Sequence, residues 1–104
     1  MYDIYIGNNP DIEEDLVLRL SLTKEEHVLI FGLKGISSFP FISEMRDFEG
    51  DAAFFTAEVE QLRHELLMLK EQQADEFTAK LLTALIQITD EAIQSSRSIY
   101  AWGD

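Results

Sequence analysis

Apolar and polar residues alternate strictly over residues 2–6, with Tyr2, Ile4 and Ile6 on one side and Asp3 and Tyr5 on the other. That two-residue period predicts a half-buried strand. Gly7, Asn8, Asn9 and Pro10 supply turn chemistry, and the acidic run Asp11, Glu13, Glu14 and Asp15 carries the connection through solvent. Alternation resumes over residues 16–22, with Leu16, Leu18, Leu20 and Leu22 expected inward and Arg19 and Ser21 outward. The two runs read as an antiparallel hairpin with one face in need of cover.

The period then lengthens. Thr23 and Glu26 have capping-box spacing, so a short helix should start at Thr23, continue through Val28, Leu29 and Phe31, and end near Gly32 and Gly35. Pro40 can open another helical turn with Phe41, Ile42 and Met45 on its apolar side. Residues 46–51 read as an acidic loop and Ala52 to Phe55 as a short extended piece. Thr56 can cap a helix whose apolar positions Val59, Leu62, Leu66 and Leu69 define one buried face. From Asp75 a wider stripe follows, comprising Phe77, Leu81, Leu85, Ile88 and Ala92 flanked by Leu82, Ile86 and Ile93. No Gly or Pro interrupts residues 51–102, but one helix from 57 to 96 would run about 60 Å, against a diameter of about 33 Å for a compact chain of this size. Two helices near 57–71 and 75–96 are therefore expected. Ile99 and Ala101 alternate with Tyr100 and Trp102 in a closing strand. The pattern is α+β: a small antiparallel sheet, made of the N-terminal hairpin plus the C-terminal strand, packed against two main helices and one or two short ones. A single domain over 1–104 accommodates all of it.

Composition narrows the function classes. Of 104 residues, 46% are hydrophobic and 11% aromatic, enough to offset the entropy of ordering one core. Cysteine is absent, which removes disulfides, thiol catalysis and thiolate metal sites and suits a reducing compartment; a cytoplasmic location is expected. No basic segment followed by an apolar run opens the sequence, and no eighteen apolar residues stand together, so neither export nor membrane insertion is expected. Eight Lys and Arg stand against twenty Asp and Glu, a net charge of −12. Such a field repels phosphate backbones and anionic lipids and attracts basic partners. The expected partner is a basic protein, and not nucleic acid or a membrane.

The catalytic inventory is thin. His27 and His64 are the two histidines, each on a predicted helix among Glu and Lys, where a solvated imidazole is expected. No nucleophile elbow, glycine-rich phosphate loop or zinc spacing occurs. Asp47, Glu49, Asp51 and Glu58 imitate the spacing of a calcium-binding loop, but Ala52 stands where the sharp turn needs glycine; no cofactor or metal is expected. The same stretch is the first candidate for partner binding. Asp47, Glu49 and Asp51, supported by Glu44 and Glu58, lie beside Phe48 and the pair Phe54-Phe55, and carboxylates next to aromatic area combine charge steering with a desolvated anchor. The alternative reading places the three phenylalanines in the core. Asp11, Glu13, Glu14 and Asp15 are the second candidate surface. Nothing in the pattern specifies self-association.

Residues 39–69, FPFISEMRDFEGDAAFFTAEVEQLRHELLML, carry an apolar turn, an Asp-aromatic-Glu-x-Asp loop, further aromatics and a Thr-capped helix ending in a Glu-Leu pair. This stretch, about a third of the chain, resembles the central segment of small immunity proteins of bacterial polymorphic and contact-dependent growth inhibition toxin systems. The closing Tyr100-Ala101-Trp102-Gly103-Asp104 extends the likeness. The resemblance implies a non-enzymatic antitoxin that sits on a cognate toxin domain and covers its active site or substrate path. A nuclease is the expected toxin, because an enzyme that holds phosphates is basic and complements a charge of −12. An acidic interaction adaptor or nucleic-acid mimic is the alternative function; a carboxylate enzyme is the third, and no spacing speaks for it.

Overall fold

The structure is a computed structural model in which residues 1–103 are described. The alternating segments become β1 (Tyr2–Gly7), β2 (Val17–Leu22) and β4 (Ser98–Gly103), and a fourth strand, β3 (Asp51–Phe54), forms from the short extended piece. They pair antiparallel in the order β2-β1-β4-β3. The fold is α+β. The two strands with the strictest alternation are central, and their inward residues Tyr2, Ile4, Ile6, Ile99 and Ala101 are buried.

Two helices cover that inner face. α3 (Thr56–Glu71) buries Val59, Leu62, Leu66 and Leu69, and α4 (Glu76–Ser95) buries Leu82, Leu85, Ile86, Ile88 and Ala92. Ile4 and Ile99 of the sheet meet Leu62, Leu66, Leu85 and Ile88 of the helices around a residual void of about 10 Å³, so the layers interlock with almost no empty space. The expected break between the helices is present: Gln72 closes α3, and the Asp75 side chain caps α4 by accepting from the Thr78 amide at 2.9 Å and its hydroxyl at 2.6 Å. These bonds hold the Asp75 carboxyl below its ordinary pKa.

Two short helices lie between β2 and β3 in the chain. α1 (Lys24–Phe31) begins with the full capping box, the Thr23 hydroxyl accepting from the Glu26 amide and the Glu26 carboxylate from the Thr23 amide. It ends at Gly32, whose φ of −92° is not left-handed; Gly35, at +86°, is the glycine that needs its freedom. α2 (Pro40–Ser43) is one turn led by Pro40. Its free amides are satisfied from another element: Glu65 of α3 is buried and accepts from Ile42 at 2.9 Å and from Phe41 at 3.0 Å.

Four expectations are corrected. Leu18 is not inward but 49% exposed. The register shifts between Ile4 and Tyr5, which face Leu20 and Leu18, so Arg19 is an extra residue and Leu18 turns to the opposite face. His27 is not a solvated surface residue but 3% exposed, whereas Val28 and Leu29 face solvent; the helix buries the stripe His27, Ile30, Phe31, because only that three-and-four spacing faces the sheet. Phe77 is 52% exposed, and Thr78 occupies the buried position at the start of α4. Phe55, not Thr56, stands at the cap position of α3, its amide donating to the Glu58 carboxylate at 3.0 Å. His64 is exposed, as expected.

Candidate functional site: the open face of the sheet

Because all the helical cover lies on the inner face, the outward side chains of the strands remain as a surface. Strand register sets them in two rows. One row runs Ser21, Asp3, Trp102, Asp51 across the four strands, and the next runs Leu18, Tyr5, Tyr100, Ala53. Trp102 and Tyr5 stack across the strands with centroids 4.6 Å apart and planes 20° from parallel. Tyr100, in the same row as Tyr5, is buried, its hydroxyl donating to the Asn8 carbonyl at 3.3 Å and its ring lying edge-on to Phe55, which is 57% exposed. The Ser21 hydroxyl donates to Asp3 at 2.6 Å and holds that carboxylate in place.

No residue in these rows is basic. Among the described residues, Arg19 and Arg97 meet Glu91 of α4, at 2.6 and 3.6 Å, and Arg63 meets Asp90 of the same helix. Among the described residues Asp3 and Asp51 make no ion pair with a side chain, so the open face combines aromatic area with carboxylates. At one margin the connection between β1 and β2 rises beside it, making a groove of about 510 Å³ lined by Tyr5, Leu16, Leu18 and Trp102 with Asp11 and Glu13.

The acidic residues singled out in the sequence fall in different local settings. Asp51 belongs to the open face as the neighbour of Trp102. Asp47 and Glu49 are exposed in the loop before β3, where Asp47 accepts from the Glu49 amide at 3.0 Å in a local turn. Glu44 is exposed at the end of α2. Glu58 caps its own helix through the Phe55 amide. Phe48, half-buried, packs onto Tyr2 and His27 at centroid distances of 6.3 and 5.2 Å, so its side chain holds the loop down. Among the second set, Asp11 and Glu13 line the groove, Glu14 is exposed, and Asp15 fastens the turn by accepting from the Asn8 and Asn9 amides at 2.5 and 2.7 Å. Among the described residues, no three His, Cys, Asp or Glu side chains are grouped to hold a metal ion.

Beneath the 47–51 loop lies an aromatic nest of Tyr2, His27, Phe31 and Phe48. The His27 Nε2–H donates to the Met45 carbonyl at 2.8 Å. Burial lowers the His27 pKa and outweighs that bond and the Asp47 charge, both of which favour the imidazolium. Among the described residues, the buried Tyr2 hydroxyl has no hydrogen-bond partner. Burial, and then the charges of Asp51 and Asp47, raise its pKa well above the ordinary phenol value. Both rings are neutral near pH 7 and serve to seat the loop. The last strand secures it too: the Gly103 amide donates to the Gly50 carbonyl at 3.0 Å, and a Cβ on Gly103 would fall 1.6 Å from the Phe48 carbonyl oxygen.

Tyr5, Leu18 and Trp102 are the residues of the candidate face that sequence reasoning missed. A signal existed for two of them. The outward positions of β1 and β4 carry Tyr5 and Trp102 where a solvated strand face ordinarily carries polar residues. Leu18 had no such signal, since the bulge alone turns it outward.

No protein-family model, curated protein or solved structure matches the chain. Among the described residues, no helix is long and apolar enough to cross a membrane.

Proposed function

We propose that this protein is an immunity-type inhibitor that binds a basic toxin domain, a nuclease being the expected activity, and covers its active site or substrate path. One observation carries the reading. A sheet face without helical cover presents Tyr5, Trp102 and Leu18 between the carboxylates of Asp3, Asp51, Asp11 and Glu13 and carries no basic residue in its strand rows. Rigid aromatic area supplies the desolvated centre of an interface, and surrounding charge of one sign steers an oppositely charged partner. The net charge of −12 extends that steering beyond the face itself. The Asp-aromatic-Glu-x-Asp loop that supports the immunity resemblance adjoins the face through Asp51 and adds the charges of Asp47 and Glu49.

The test pairs this protein with the product of the gene immediately upstream. Co-purification, protection of cells exposed to that product, and an association rate that falls with added salt are the expected results. Failure to bind, together with failure to protect, overturns the immunity reading. Binding instead to a host DNA-binding protein supports the adaptor reading.

A further inference from the structure

We propose that the groove between the sheet face and the β1–β2 connection is an arginine-recognition site, taking a guanidinium side chain of the basic partner over Tyr5 and Trp102 and between Asp11 and Glu13. The inference rests on the binding reading above and names the group recognised. The groove, about 510 Å³, falls in the span of about 300–1,000 Å³ typical of clefts that hold small organic groups. Leu16 and Leu18 supply an apolar wall for the methylene stem of a long side chain. The stacked rings of Tyr5 and Trp102 supply a π surface for a cation.

Charge completes the fit. Asp11 and Glu13 are both exposed, and among the described residues neither carboxylate pairs with a side chain of this chain. An acceptor beside an aromatic platform selects arginine over lysine. The guanidinium is planar, stacks on rings and presents several donors in one plane, whereas an ammonium is a strongly hydrated point charge. An anionic or apolar occupant would leave the two carboxylates uncompensated.

Trp102 is the sole tryptophan in the sequence, so intrinsic fluorescence reports directly from the groove. The probes are hexa-arginine and hexalysine peptides, titrated into the intact protein at low ionic strength. Hexa-arginine is expected to change Trp102 emission saturably and to bind about two- to fivefold tighter than hexalysine, the worth of an exposed cation–π contact that the more strongly hydrated ammonium does not make. Tyr5→Leu should reduce the hexa-arginine affinity by about the same factor. Asp11→Asn with Glu13→Gln, both solvent-facing and nearly isosteric, should reduce it about two- to tenfold without altering the circular dichroism. Equal affinities and equal emission changes for the two peptides would overturn the proposal, as would an unchanged affinity in the Asp11→Asn, Glu13→Gln variant. The two readings fail differently. A partner that binds that variant as well as the parent removes the groove and leaves the inhibitor function, whereas arginine-selective binding without any interaction with the neighbouring gene product does the reverse.

Discussion

Glu65 gives the sharpest stability test, because its carboxylate joins two elements that are distant in sequence. It comes from the middle of α3, is 9% exposed, and accepts from the amides of Ile42 and Phe41 at 2.9 and 3.0 Å. Pro40 has no amide hydrogen and the Ser43 amide reaches the Phe39 carbonyl, so these two donors are the ones in the α2 turn that need an outside acceptor. Glu65→Ala leaves both without it. A buried donor deprived of its partner costs about 1–3 kcal/mol, and solvent reaching the cavity would relieve part of that, so a total of about 2–4 kcal/mol is expected. Glu65→Gln keeps an oxygen but loses the charge assistance, and should cost about 1 kcal/mol. His64→Ala, one residue away and exposed, should change stability by less than about 0.5 kcal/mol. Urea unfolding with an unchanged m-value provides the measurement. A loss below about 1 kcal/mol for Glu65→Ala would refute the reasoning, since a buried amide and a part-buried one cannot lose their shared acceptor at so little cost.

Leu85→Ala should lower the unfolding free energy by about 2–5 kcal/mol through lost burial and a cavity, and a loss under about 1 kcal/mol in the same denaturant assay would show that α4 is not packed there as described. His27 makes stability pH-dependent: its folded-state pKa lies below the unfolded value of 6.5, so the unfolded chain binds the proton more readily. Its contribution is therefore fully present above 6.5 and is lost as pH falls from 6.5 through the lowered folded value. Unfolding free energies across that window should decline with falling pH in the parent and less steeply in His27→Leu; equal slopes would contradict the neutral buried imidazole. Gly103→Ala should release the 47–51 loop, because the added carbon collides with the Phe48 carbonyl, and proteolysis within that loop should accelerate relative to the parent.

The sheet and the two long helices were legible because each has one buried face with a single period. Tyr2, Ile4 and Ile6 against Asp3 and Tyr5, or Val59, Leu62, Leu66 and Leu69 in α3, state that face directly. The extra residue Arg19 was not legible: Leu16 to Leu22 alternate in sequence as if the strand were regular, and a bulge is a property of the pair of strands. His27 was misplaced because polarity was read before position, although its spacing from Ile30 and Phe31 marks the stripe. The first candidate site is a contiguous acidic loop in the sequence. In the structure Phe48 turns into the core and Glu58 caps a helix, while Asp51 joins Asp3 and Trp102 from the two ends of the chain. Register across β1, β4 and β3 makes that association, and register requires knowing which strands are neighbours.

The most direct test of the proposed binding face is a two-dimensional nitrogen–proton spectrum of the labelled protein, recorded with and without the product of the upstream gene. Binding through the open face predicts the largest shifts at the Trp102 indole and at the backbone amides of Asp3, Tyr5, Leu18 and Asp51, with smaller changes along the inward faces of α3 and α4. Shifts concentrated instead on the exposed faces of those helices, with the Trp102 indole unmoved, would contradict it.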